Sequence, residues 1–206
     1  MVARASVEWR VGAVLLAAGG ATRFREGARR EGLAVPHKLL APLHGSTVFG
    51  HALTNLVEAK IATIAVVVGA VELPELREQS GLGVAVLRNA RWAEGQATSL
   101  ALGVAWAERL GLDAVVCGLG DQPFIAPRDW RAVAYTSPDS PIAVATYGGR
   151  RRNPVRLARS TWALLPVDGD EGARAVIAGH PNLVVEVACS GNPADIDTPE
   201  DLLQWS

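Results

Sequence analysis

Apolar positions in this chain come in short, nearly unbroken runs, separated by stretches in which they recur every three or four residues. The runs at 12–17, 64–68, 84–87, 114–119, 142–146 and 183–187 are rich in Val, Ile, Leu and Ala and show little polar alternation. A strand with one wet face would alternate, so these runs predict strands covered on both faces, as in a parallel sheet. Helical spacing predicts helices over 48–59, 99–110, 127–135, 171–178 and 199–204. Strands alternating with helices predict a single three-layer α/β/α domain over residues 1–206, Rossmann-like, with a mostly parallel sheet. No internal repeat, low-complexity tract or interdomain linker interrupts the pattern.

The order of these elements singles out one edge of the sheet. In open α/β sheets, ligands settle in the crevice beyond the carboxyl ends of the strands. Gly19 and Gly20 follow the first predicted strand, and Asp121 follows the strand at 114–119, so both are expected on that edge.

Composition narrows the class of protein. A chain of 206 residues, 49% hydrophobic and 20% charged, can bury a substantial core and is globular rather than disordered. The longest apolar runs, 11–18 and 61–71, are too short to span a bilayer. Residues 1–10 carry Arg4, Glu8 and Arg10 and no apolar segment, which argues against a secretory signal and for a cytoplasmic protein without a membrane partner. A net charge of −1 argues against general nucleic-acid binding. Arginines nevertheless cluster at Arg23, Arg25, Arg29 and Arg30, and at Arg150, Arg151, Arg152, Arg156 and Arg159. They read either as solvated loops or as two basic walls facing a multiply anionic ligand. The two cysteines, Cys117 and Cys189, lack metal or disulfide spacing and read as buried reduced thiols. The histidines His37, His44, His51 and His180 also lack metal-ligand spacing, and no nucleophile elbow for hydrolase chemistry is present.

Three segments carry residue types suited to phosphate chemistry. The first is a glycine-rich loop expected to run from Leu16 to Lys38, opening Leu16-Ala17-Ala18-Gly19-Gly20-Ala21-Thr22-Arg23-Phe24. Small residues after a strand let backbone N–H groups approach phosphates, while Arg23 supplies a fork donor and Lys38 a point charge. An ordinary strand-to-helix turn would explain the two glycines but leaves Arg23 and Lys38 without a role. The second is Gly118-Leu119-Gly120-Asp121-Gln122-Pro123, where a carboxylate at a strand end suits a hard cation such as Mg²⁺, although a plain turn uses the same residues. The third is Asp195-Ile196-Asp197-Thr198-Pro199-Glu200-Asp201. Thr198 as N-cap and Pro199 as first helical residue explain its end, and the cap has no need of Asp197.

These segments resemble the family of nucleotidyltransferases that includes the sugar-nucleotide pyrophosphorylases and the molybdenum-cofactor nucleotidyltransferases. The resemblance covers nearly the whole chain and implies the nucleotide-diphospho-sugar transferase type of fold. It implies that Leu16, Ala17, Ala18, Gly19 and Gly20 border the base and phosphates, and that Arg23 and Lys38 neutralise the triphosphate. It further implies that Asp121 and Asp197 hold Mg²⁺, with Asp195 the lesser candidate. The segment Asn89-Ala90-Arg91-Trp92-Ala93-Glu94-Gly95-Gln96-Ala97-Thr98-Ser99-Leu100 is similar to a family segment that meets the base through Gly95 and Ser99, with Thr98 beside them. Residues 147–155 resemble a loop facing the second substrate, and 169–174 resemble a Gly-Asp-x-Gly-Ala-Arg turn. Together these features are similar to the molybdopterin cytidylyltransferases.

The implied reaction is attack by an acceptor phosphate on the α-phosphorus of CTP, or of GTP, with release of pyrophosphate. The implied acceptor is molybdopterin, with a transient contact to a molybdoenzyme as recipient; a sugar phosphate or another small phosphorylated metabolite is the alternative acceptor. One departure opens a different class. Arg25 stands where relatives place glycine, and residues 26–36 lengthen the path to Lys38. If they hold Lys38 away from the triphosphate, the chain is a non-catalytic nucleotide or pterin carrier.

Overall fold

Strand β1 (Val11–Ala17) is buried along its whole length and has a parallel neighbour on each side, β4 (Thr63–Val68) and β6 (Ala114–Leu119). An apolar run of this kind is what a strand buried on both faces demands. The computed structural model describes residues 9–32, 34, 37–78 and 83–205. Residues 1–8, on which most of the signal-peptide reading falls, lie outside these, as do Leu33, Val35 and Pro36 of the 26–36 stretch.

Around β1 stand β5 (Val84–Arg88), β7 (Ile142–Tyr147), β8 (Arg150–Ala158) and β9 (Val184–Ala188), in the order β5-β4-β1-β6-β8-β7-β9. β8 runs antiparallel to both β6 and β7, and the remaining pairings of this sheet are parallel; β2 (Pro42–Leu43) and β3 (Ser46–Thr47) form a separate antiparallel pair, and the short helix α3 (Glu75–Glu78) precedes β5. Alternate side chains of β1 serve two cores. Ala13, Leu15 and Ala17 pack with Phe49, Leu53 and Leu56 of α2 (Val48–Glu58) and with Trp130 and Val133 of α5 (Pro127–Ala134). Val14 and Leu16 pack with Leu100, Val104 and Ala107 of α4 (Gln96–Arg109) and with Val176 of α6 (Ala173–Gly179). Each fully buried Leu or Phe in these layers contributes roughly 1.5–3 kcal/mol of transfer free energy. The result is the three-layer, mostly parallel fold expected from the sequence. Among the described residues no helix is long and apolar enough to cross a membrane.

Two segments depart from expectation. Residues expected to continue the glycine-rich loop form helix α1 (Thr22–Glu31), closed by Gly32 in the left-handed conformation. Phe24 and Ala28 face a third core made by Ala41, Leu43, Val48 and Ile196, against which α7 (Pro199–Gln204) also packs through Leu202. Arg25, Arg29 and Arg30 occupy the solvent side of α1, which is why the stretch reads as polar. The turn after β1 therefore spans residues 18–21, and the path towards Lys38 is helical as far as Glu31.

The second departure is β8. Residues 147–155, expected to form a loop, belong to a β7–β8 hairpin turned at Gly148 and Gly149. The register passes from Val144 opposite Val155 to Ala145 opposite Arg152, so Asn153 and Pro154 bulge out of the ladder. Proline, lacking an N–H, is tolerated at such a position. Arg156 is fully buried rather than part of a basic wall. Its guanidinium donates to the carbonyls of Thr136, Ser137 and Ser140 and lies 4.5 Å from the Trp9 ring centroid. Burial pulls its pKa down to about 10.

Candidate active site

Beyond the carboxyl ends of β1 and β6 the chain opens a cleft of about 560 Å³, a size suited to a nucleotide-sized ligand. One wall is the turn from Ala18 to Ala21 together with the start of α1. Ala21 has φ 53 and caps α1 without a side-chain hydrogen bond, so the first amides of the helix lack a capping acceptor, and Thr22, Arg23 and Phe24 line the cleft. The turn is held from outside. Ala70 N–H donates to the Ala18 carbonyl at 3.1 Å, and His37 Nε2 lies 2.9 Å from the Gly19 carbonyl oxygen. The Trp92 indole lies over Gly20 so closely that a Cβ there would stand 2.9 Å from the ring. Leu16, Ala18, Gly19 and Gly20 border the cleft, whereas Ala17 is turned into the core under the sheet.

The floor is acidic. Gly120 N–H donates to the Leu16 carbonyl as β6 ends, and Ile196 N–H donates to the Asp121 carbonyl, which ties the 195–197 segment beside Asp121. Thr198 caps α7 in a reciprocal box with Asp201, whose carboxylate also accepts from Asp197 N–H. The carboxylate of Asp197 is left for the cleft. There Lys38 Nζ lies 2.5 Å from Oδ2 of Asp121 and 2.6 Å from Oδ1 of Asp197, and Arg23 Nη1 lies 2.9 Å from Oδ2 of Asp197. Burial alone would lower the pKa of Lys38, but the two carboxylates outweigh it and raise it. Burial likewise works against the ionised form of Asp197, yet Lys38 and Arg23 hold its pKa below the usual carboxylate value. Asp195 shares the cleft, accepts from Gln122 Nε2 at 2.8 Å, and is pushed up to about 6 by its burial and by Asp121.

Oδ1 of Asp121 is buried and has no hydrogen-bond partner. Among the described residues no group of three or more His, Cys, Asp or Glu side chains stands at metal-holding spacing. Asp121 and Asp197, bridged by one ammonium and with a carboxylate oxygen to spare, fit a hard divalent cation that keeps water and phosphate oxygens as its other ligands.

The opposite wall joins residues 92–99 to 169–174. Gly95 has φ 110, and a Cβ there would lie 2.3 Å from the Gly169 carbonyl oxygen. Ala97 N–H donates to that carbonyl, and Gly169 N–H donates to the Glu94 carbonyl. Gly95 and Ser99 line the cleft. Thr98 does not; its hydroxyl lies within hydrogen-bond distance of the Arg91 and Gly95 carbonyls and accepts from Asn89 Nδ2. Sequence reasoning passes over Trp92, Gln96, Asp170 and Arg174 as lining residues. All four belong to the segments 89–100 and 169–174, which resemble the nucleotidyltransferases. Both cysteines are free, Cys117 buried and Cys189 partly so, and burial raises both thiols, to about 12 and about 11.

The chain is similar to known proteins in sequence and in fold. Residues 13–184 match the family model of the MobA-like NTP transferase domain. The purine catabolism protein PucB of Bacillus subtilis is 28% identical over 203 residues, covering 91% of this chain and 92% of its own length. A nucleotidyl transferase from Methanothermobacter thermautotroptrophicus superposes with a TM-score of 0.81 at 27% identity, covering 95% of both chains. The Mycobacterium tuberculosis protein Rv0371c superposes with a TM-score of 0.74 at 26% identity over 95% of this chain and 97% of its own. That protein has also been solved in complex with manganese.

Proposed function

The chain belongs to the family of MobA-like NTP transferase domains, and from that premise we propose that it transfers CMP from CTP to the phosphate of a molybdopterin-type acceptor, releasing pyrophosphate. The observation that carries this reading is the Lys38 ammonium bridging Asp121 and Asp197 in the same cleft as the glycine turn. Asp121 and Asp197 would hold a divalent cation, Mg²⁺ in our reading, which would supply positive charge to the phosphate oxygens. The protein's own groups do the rest. The amides of the turn and of the first residues of α1 receive phosphate oxygens. Arg23 offers a fork donor and Lys38 a point charge, which together offset the charge that develops as the phosphoryl group transfers. An acceptor phosphate with a second pKa near about 6 is already ionised at neutral pH, so the site needs no general base.

The preference for CTP over GTP rests on the Leu16-Ala17-Ala18-Gly19 spelling of the turn and on Ser99 in the opposite wall. The molybdopterin acceptor, and delivery to a molybdoenzyme, rest on the likeness of residues 89–100, 147–155 and 169–174 to the molybdopterin cytidylyltransferases. The name of the PucB relative points to a different metabolism, so the test must include other small phosphorylated acceptors. Purified protein is incubated with Mg²⁺, each nucleoside triphosphate in turn, and molybdopterin or a panel of phosphorylated metabolites, and pyrophosphate is measured. The expected result is release with CTP and molybdopterin. A preference for GTP overturns the cytidylyl assignment, and release only with another acceptor overturns the molybdopterin assignment.

A further inference from the structure

His37 is a buried titratable side chain that takes no part in the chemistry above, yet it touches both halves of the site. It is 5% exposed, and it does not line the cleft. The backbone at His37 is extended, and Nδ1 accepts a hydrogen bond from Leu39 N–H at 3.3 Å, which caps the short 3-10 turn Lys38–Leu40. With Nδ1 an acceptor, the neutral ring carries its proton on Nε2, an assignment that follows from the hydrogen bonds. Nε2–H then donates to the Gly19 carbonyl at 2.9 Å. In a trans peptide the carbonyl oxygen and the following N–H point to opposite sides. Holding the Gly19 oxygen therefore fixes the direction of Gly20 N–H. The turn needs such a hold, because neither glycine has a side chain with which to anchor it.

We infer that His37 is a positioning residue: it clamps the Gly19–Gly20 peptide so that Gly20 N–H faces the phosphates, while the same ring starts the turn that carries Lys38 to Asp121 and Asp197. The inference rests on the nucleotidyl-transfer reading for its consequence in turnover, but not for the clamp itself. Burial, with Lys38 and Arg25 nearby, lowers the pKa of His37 and supports the neutral ring that both hydrogen bonds require.

Two substitutions separate the two bonds. His37→Asn places an acceptor near Nδ1 and keeps the cap on Leu39, but cannot reach Gly19. His37→Gln places an N–H near the position of Nε2 and restores the clamp. The direct readout is the Gly20 amide resonance during titration with inorganic pyrophosphate, which requires no turnover. The wild type shifts this resonance, His37→Asn binds pyrophosphate about tenfold more weakly, the scale of one charge-assisted hydrogen bond, and His37→Gln returns to within about threefold. In the turnover assay His37→Asn raises the KM for the nucleotide about tenfold with kcat little changed, whereas a merely structural role would lower both variants' thermal stability without this split. A Gly20 amide that ignores pyrophosphate in the wild type, or equal affinity in His37→Asn, overturns the inference. Absence of pyrophosphate release from every nucleoside triphosphate, with the Gly20 response intact, overturns the nucleotidyl reading and leaves the clamp standing.

Discussion

Lys38 and Asp197, 159 residues apart in the chain, meet in a 2.6 Å hydrogen bond at the floor of the cleft. The same ammonium reaches Asp121, so it rests on the two carboxylates that suit a divalent cation. Lysine and cation then compete for the same oxygens. Lys38→Ala removes the competitor, and affinity for Mn²⁺ in the absence of nucleotide is expected to rise about tenfold while turnover falls about a hundredfold. Calorimetric titration of the variant with Mn²⁺ checks the first, and unchanged or weaker binding would count against the competition.

Gly95 permits the 92–99 wall to lie against Gly169. Its φ of 110, and the 2.3 Å that would separate a Cβ at this position from the Gly169 carbonyl oxygen, leave no room for a side chain. Gly95→Ala is expected to cost about 2 kcal/mol or more in stability and to weaken nucleotide binding. Urea denaturation measures the first, and a loss below about 0.5 kcal/mol would show that the wall can shift to absorb the methyl group.

His37 gives the fold a pH dependence whose sign is fixed by its lowered pKa. The unfolded chain takes up the proton near the ordinary histidine value of 6.5, while the folded chain resists it to a lower pH. Stability owed to the neutral ring is therefore complete above 6.5 and declines as pH falls below it toward the folded-state pKa. His37→Gln removes this contribution, so the wild type is expected to lose more urea resistance than the variant between about pH 7.5 and 5.5. Parallel losses in the two proteins would assign the acid sensitivity to other groups.

Much of this fold was legible in the sequence because it depends on local pattern. The run 11–17 is apolar without alternation, and β1 is buried on both faces. The alignment of Gly19, Gly20 and Asp121 on one sheet edge followed from strand order alone. What stayed hidden depends on distant partners. Arg156 reads as surface charge until Thr136, Ser137 and Ser140 supply carbonyls for its guanidinium. α1 reads as loop because its buried stripe is short and only the core around Ile196 makes it worth folding. Thr98 reads as a base contact, but Asn89 and the 91–95 backbone turn its hydroxyl away from the cleft. The path through residues 26–36 raises the prospect of a Lys38 set apart from the site; α1 extends to Glu31, and Lys38 stands on the acidic pair.

The measurement that bears most directly on the account is pyrophosphate release by Asp121→Asn, a change that keeps the shape of the side chain and removes its charge. With CTP, Mg²⁺ and an acceptor that the wild type uses, release is expected to fall at least about 10³-fold while circular dichroism and the melting transition stay those of the parent. Near-normal release from the folded variant would contradict the assignment of Asp121 to the cation and, with it, the proposed mechanism.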